Sequence, residues 1–183
     1  MMNTLRIVQL PVKKLVIGGC RSGKSRYAEQ WVAQNFSDKV FVATLESRND
    51  AEMDQRIALH RQSRGNGWLT VEEPLDLAGV LDKNQTGSEV FLVDCLTMWL
   101  TNMMMQDFSD EKIQGEVARL CKTVASLDTS VVLVANEVGL GIVPESSLGR
   151  RFRDLAGWTN QQMAQACEQV VFVAAGLPLR LKG

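Results

Sequence analysis

Five near-continuous apolar runs punctuate the chain: Leu15-Val16-Ile17, Val40-Phe41-Val42-Ala43, Val90-Phe91-Leu92-Val93, Val131-Val132-Leu133-Val134 and Val170-Val171-Phe172-Val173. Runs this short, rich in β-branched residues and without polar alternation, predict strands buried on both faces of a sheet. Stretches of helical period lie between them. The clearest puts Ile113, Val117, Leu120, Cys121 and Val124 on one face, with Ser109 as N-cap and Asp110 and Glu111 in the first turn. Another aligns Leu148, Phe152, Leu155, Thr159 and Met163. Strand and helix alternating in this way predict βαβ units around a mostly parallel sheet. Asn84 to Ser88 reads as a surface turn, and neither an internal repeat nor a low-complexity linker divides the chain.

Composition narrows the classes. With 183 residues, 45% apolar and 22% charged, the chain suits one globular domain, residues 13–183, preceded by an N-terminal extension over 1–12. The formal net charge of −1 supplies no basic field for nucleic acid and no charge run for an anionic membrane, so an anion must be caught locally. Cys20, Cys95, Cys121 and Cys167 are widely spaced, without a zinc-ligand pattern. The stretch Met1 to Leu15 carries Arg6, Lys13 and Lys14 and lacks a long apolar segment, so neither a secretory signal nor a membrane span is expected and the compartment reads as cytoplasmic.

Gly18-Gly19-Cys20-Arg21-Ser22-Gly23-Lys24-Ser25 fits the phosphate-loop pattern G-x-x-x-x-G-K-[ST]. It sits between the first apolar run and an amphipathic helix with Ala28, Trp31, Val32 and Asn35 on one face, the context the pattern requires. Glycines let the backbone curl so that its N–H groups and the helix N-terminus face phosphate oxygens, while Lys24 brings a point charge. Ser25 would ligate Mg²⁺. Asp94 closes the Val90–Val93 run, where such proteins keep a carboxylate for the same ion. Thr97 falls within reach of that strand end, and the Met-rich stretch Met98 to Met105 reads as core packing. The fold class is therefore α/β, a P-loop NTPase-like (RecA-like) three-layer domain with its site at the carboxyl ends of the strands.

His60 is the only histidine, and helical spacing groups it with Met53, Ile57 and Arg64. A lone histidine on an apolar stripe is ordinarily a satisfied core residue. Against that, Arg56, Arg61 and Arg64 all lie within one turn, a density of cation that suits a triphosphate. Local pattern leaves both readings open.

Taken together these residues resemble the bifunctional adenosylcobinamide kinase / adenosylcobinamide-phosphate guanylyltransferase family. The resemblance runs from Lys14 to Lys182. It rests on the phosphate loop, Val42-Ala43-Thr44, Glu52-Met53, Arg56-Ile57, His60-Arg61, Arg64, Trp68, Thr70, Glu72, Val93-Asp94-Cys95-Leu96-Thr97 and Thr101-Asn102. Its most specific part is Asn136 to Glu145, followed by Arg151-Phe152-Arg153-Asp154, Gly157 and Asn160-Gln161. The resemblance implies phosphorylation of adenosylcobinamide by ATP or GTP, then transfer of GMP from GTP to adenosylcobinamide phosphate, with Mg²⁺ and a guanylyl-histidine at His60. It assigns nucleotide contacts to residues Gly18 to Ser25, Thr44, Leu45, Glu46, Arg61, Gln62, Ser63, Arg64, Glu72 and Asp94, catalysis to His60 and Lys24, and the metal to Ser25 and Asp94. It further implies a homo-oligomer, a trimer, with adenosylcobinamide and its phosphate as partners.

Two departures stand out. Residues 1–12 have no family counterpart, and Gly65-Asn66-Gly67 replaces a Pro-containing turn. The Asn136–Glu145 loop is a candidate for the corrinoid groove, and equally a tight strand-to-helix connection. The phosphate loop alone would also suit a simple small-molecule kinase with a structural His60, or a nucleotide-driven regulatory module.

Overall fold

A computed structural model describes residues 10–45, 67–83 and 87–183. In chain order the elements are β1 (Lys13–Gly18), α1 (Lys24–Asn35), β2 (Lys39–Ala43), β3 (Trp68–Glu72), α2 (Leu77–Lys83), β4 (Val90–Asp94), α3 (Leu96–Met105), α4 (Asp110–Ser126), β5 (Ser130–Asn136), α5 (Ser147–Ala166), β6 (Gln169–Ala174) and β7 (Leu177–Lys182). The strands form one seven-stranded sheet in the order β3-β2-β4-β5-β1-β6-β7. Every neighbouring pair is parallel except β6 and β7, which run antiparallel.

Alternate residues of the central strands feed two separate cores. Leu15, Val131, Leu133, Phe91 and Val93 face one layer, which α2, α3, α4 and α5 complete with Leu77, Leu81, Trp99, Met103, Ile113, Leu120 and Met163. Val16, Val132, Val134, Leu92 and Val171 face the other, which α1 closes with Ala28 and Val32. Helix, sheet and helix thus make the three expected layers. Ile113, Val117, Leu120 and Val124 of the α4 stripe are buried and Cys121 is half-buried, and the Ser109 hydroxyl accepts the backbone N–H of Lys112.

Several details differ from the pattern-based expectation. β3 and β7 are additional strands. Both occupy sheet edges, where one-sided or missing cover leaves no continuous apolar run to read: β7 is exposed along its whole length, and Leu69 of β3 points to solvent. β1 begins two residues early because Lys13 and Lys14 are themselves buried. Asn35 is the last residue of α1, exposed, with its amide folded back on the Trp31 carbonyl at 2.7 Å. Leu148 is exposed in the first turn of α5, whereas Leu155, Thr159 and Met163 carry that stripe into the core. In the Met-rich helix Met103 and Met104 are core residues and Met105 is exposed.

Candidate active site

β1 delivers the chain into the phosphate loop at the middle of the sheet, between β5 and β6. Gly18 has no room for a side chain: a Cβ there would collide with the Val173 carbonyl oxygen and approach the Ser22 hydroxyl to 2.7 Å. Its own carbonyl accepts the N–H of Glu137 at 2.9 Å, tying the loop to the end of β5. The Ser22 N–H donates to the Gly19 carbonyl at 3.2 Å, and the Gly176 N–H from the β6–β7 turn donates to the Ser22 carbonyl at 2.8 Å. Gly23 then turns the chain into α1 with φ of +92°, a left-handed conformation that favours glycine. Arg21 also has a positive φ, of 54°.

These bonds consume carbonyls, and among the described residues no side chain caps the amides of the first turn of α1. An uncapped helix N-terminus at a curled loop is an anion cradle. The Lys24 ammonium is folded over the loop and donates to the Gly19 carbonyl at 3.1 Å. The Ser22 hydroxyl is buried inside the loop and has no hydrogen-bond partner among the described residues. Cys20 is exposed on its rim.

A second polar layer fixes the neighbouring strand ends. The Thr44 hydroxyl, just past β2, accepts the Cys95 N–H and donates to the Cys95 carbonyl, each at 2.8 Å. The Asn102 amide of α3 donates to the carbonyls of Thr44 at 2.7 Å and Pro74 at 3.1 Å. The Thr97 hydroxyl accepts the Asn136 N–H at 2.7 Å, and the Asn160 amide donates to the Asn136 carbonyl at 3.1 Å. Asn102 and Asn160 therefore act as braces between a helix and a strand end. Their sequence signal was an amide inside an otherwise buried helix face, which gives burial without naming the partner.

Asp94 ends β4 and is half-buried. Burial pushes the neighbouring Cys95 thiol up to about 11, the Asp94 charge adds to the rise, and the Lys24 charge opposes it. Ser25, in the first turn of α1, and Asp94 are hard oxygen donors that suit Mg²⁺, and among the described residues no cluster of three acidic, histidine or cysteine side chains forms a metal cage. That donor set fits an ion shared with phosphate oxygens, as Mg²⁺ usually is.

The other expected contacts spread along the same carboxyl edge. Asp94 lies two strands from Gly18, roughly 10 Å, Thr44 follows the third strand, and Glu72 ends the fourth, roughly 19 Å away. Leu45 is half-buried beside Thr44. His60, Glu46, Arg61, Gln62, Ser63 and Arg64 lie outside the described residues. The loop after β5 presents Leu140, 81% exposed, and Ile142, 96% exposed, next to the strand end that carries Asn136 and Glu137.

The sequence profile of the family described as cobinamide kinase / cobinamide phosphate guanyltransferase matches residues 14–181. Over 172 residues the chain is 44% identical to the bifunctional adenosylcobalamin biosynthesis protein CobP of Pseudomonas aeruginosa, covering 94% of this chain and 98% of the relative. It is 39% identical over 181 residues to the bifunctional adenosylcobalamin biosynthesis protein CobU of Escherichia coli, covering 92% and 98%. The fold also matches the crystal structure of the RadB recombinase with a TM-score of 0.52, at 12% identity, over 89% of this chain and 74% of that one. A likeness that distant shows the P-loop NTPase-like fold alone.

Proposed function

Since the chain belongs to the cobinamide kinase / cobinamide phosphate guanyltransferase family, we propose that it phosphorylates adenosylcobinamide and then transfers GMP from GTP to the resulting phosphate. The observation that carries this reading is the phosphate loop. It has carbonyls tied inward, an uncapped helix N-terminus and a lysine folded over it, at the point of the sheet where α/β proteins hold nucleotides.

In the first reaction the substrate hydroxyl attacks the γ-phosphorus of a nucleoside triphosphate, its proton is lost, and nucleoside diphosphate leaves. The loop amides and Lys24 hold the transferred group in line and stabilise the charge that develops on it. Mg²⁺, held by Ser25 and Asp94 together with phosphate oxygens, would supply further charge neutralisation. In the second reaction a His60 ring nitrogen attacks the α-phosphorus of GTP. A P–N bond forms, the bond to the β-phosphate oxygen breaks and pyrophosphate leaves; the phosphate of the substrate then displaces the histidine. This role for His60 rests on the family resemblance, on its being the only histidine and on its arginine neighbours. Glu72, far along the strand edge, would meet a part of the ligands distant from the phosphates. The exposed Leu140 and Ile142 offer an apolar wall for a large corrinoid.

Intact-protein mass spectrometry after incubation with GTP and Mg²⁺ tests the reading. One guanylyl group should add per chain, acid-labile and base-stable as a phosphoramidate is, and none in His60→Ala. An undiminished adduct in that variant would transfer the role to another residue.

A further inference from the structure

Lys14 lies near the opposite end of β1 from the phosphate loop, four residues or roughly 13 Å before Gly18. Its side chain belongs to the face of the sheet that α1 covers, in register with Val132 of β5 and Gln169 of β6. It is only 4% exposed, and its ammonium rests 3.4 Å from the centre of the Trp31 ring. Among the described residues no carbonyl or carboxylate accepts from it. Its neighbour Lys13, buried to the same degree, shows the usual solution, donating to the carbonyls of Leu127 at 2.6 Å and Thr129 at 2.7 Å.

Lys14 lines a cleft of about 280 Å³ together with Tyr27, Gln169, Val171, Pro178, Arg180 and Gly183. Two cations, a phenol and an amide converge there with no acidic side chain in the lining. Arg180 belongs to β7 opposite Val171, and no ion pair engages it among the described residues. Burial pushes the Lys14 amine down to about 8. A buried ammonium held only by a ring face is under-satisfied, and an anion with several acceptor oxygens is what would satisfy it.

We propose that this cleft is a second anion site, distinct from the phosphate loop, that takes a phosphate group between the Lys14 ammonium and the Arg180 guanidinium. Lysine supplies the buried point charge and arginine the fork that pairs with two oxygens. Val171 and Pro178 leave an apolar wall for a small organic remainder, so a free phosphate ion and a phosphate monoester share the chemistry. The cleft's walls are β1, α1, β6 and β7, and the turn before β7 is the one whose Gly176 N–H binds the Ser22 carbonyl of the phosphate loop. A ligand here would touch β1 and α1, the two elements that flank that loop.

Isothermal titration of inorganic phosphate, and separately of glycerol 3-phosphate, into protein presaturated with a non-hydrolysable GTP analogue and Mg²⁺ tests the site. One saturable site per chain is expected. It should weaken about tenfold or more in Lys14→Met and in Arg180→Ala, the loss of one charge-assisted contact, and persist in Lys24→Ala, which impairs only the loop. Tighter binding of the ester would assign an organic phosphate, and tighter binding of the ion a free one. Arg180 is exposed, so its variant folds even if the Lys14 variant does not. Absence of saturable binding, or binding that survives both substitutions at the cleft, would overturn the site without touching the proposed reactions.

Discussion

The hydroxyl of Thr44 and the backbone of Cys95 exchange two hydrogen bonds, the oxygen accepting from the Cys95 N–H and donating to the Cys95 carbonyl, each at 2.8 Å. The pair joins the ends of β2 and β4 where Asp94 must be held steady beside the loop, and Thr44 is fully buried. Thr44→Val keeps the shape and removes both bonds, leaving a buried N–H and carbonyl unpaired. The cost should be on the order of 1–3 kcal/mol, read as a lower urea midpoint with unchanged slope. Thr44→Ser should restore most of it. An unchanged midpoint in the valine variant would mean that the bridge contributes nothing.

Lys24→Ala tests whether one loop serves both reactions. The ammonium makes a single hydrogen bond within the loop, to the Gly19 carbonyl, so its loss should barely change stability. Its transition-state role should cost about 3 kcal/mol, or about two decades in rate, in the kinase and in the guanylyl-transfer assay alike. Loss of one activity with the other near normal would separate the two sites.

Which parts of this architecture the sequence announces follows from where each residue is buried. The central strands read as strands because helices cover both faces, which leaves no polar position in Val131–Val134 or Val90–Val93. The phosphate loop is legible because its chemistry is local: glycines, lysine and serine are contiguous. Edge strands are not, since Leu177, Leu179 and Leu181 of β7 face solvent between Pro178, Arg180 and Lys182. Lys13 and Lys14 look like a solvated lead-in to β1, yet both are buried, because their satisfaction depends on Leu127, Thr129 and Trp31, residues far away in sequence or on the next helix. The Thr44 hydroxyl is engaged with Cys95, a long-range partnership that no local pattern encodes.

The buried Lys14 amine gives a pH dependence with a definite sign. Its ordinary value is 10.5, and burial lowers it to about 8 in the folded protein. Between those values the unfolded chain binds the extra proton, so the native state gains stability as pH rises through that window. Below it, the fold bears the full penalty of burying an ammonium. Lys14→Met should therefore be more stable than the parent at pH 7, by on the order of 1–2 kcal/mol once the open side of the cleft and the Trp31 contact are allowed for. The advantage should shrink from pH 8 and vanish near 10.5. Thermal unfolding of both proteins across that range in phosphate-free buffer checks it, and a constant difference would exclude this amine as the cause.

Thiol labelling probes the phosphate loop directly, because the four cysteines differ sharply in access. Cys20 is exposed on the loop rim, Cys95 and Cys167 are buried, and Cys121 is half-buried. Burial raises the thiols of the last three, Cys95 to about 11 and Cys167 to about 12, so both access and thiolate supply disfavour them near neutral pH. A maleimide should therefore modify Cys20 first, and peptide mapping after a short exposure should find nearly all label there. If the uncapped amides of α1 and the Lys24 ammonium hold phosphates, GTP with Mg²⁺ covers the Cys20 sulfur and slows its labelling, while the much slower labelling of Cys121 is unaffected. The control matters because nucleotide could tighten the whole fold, which would slow both residues together. Equal labelling of Cys20 with and without saturating nucleotide would show that phosphates do not settle on Gly18 to Ser25, and both proposed reactions would then need another site.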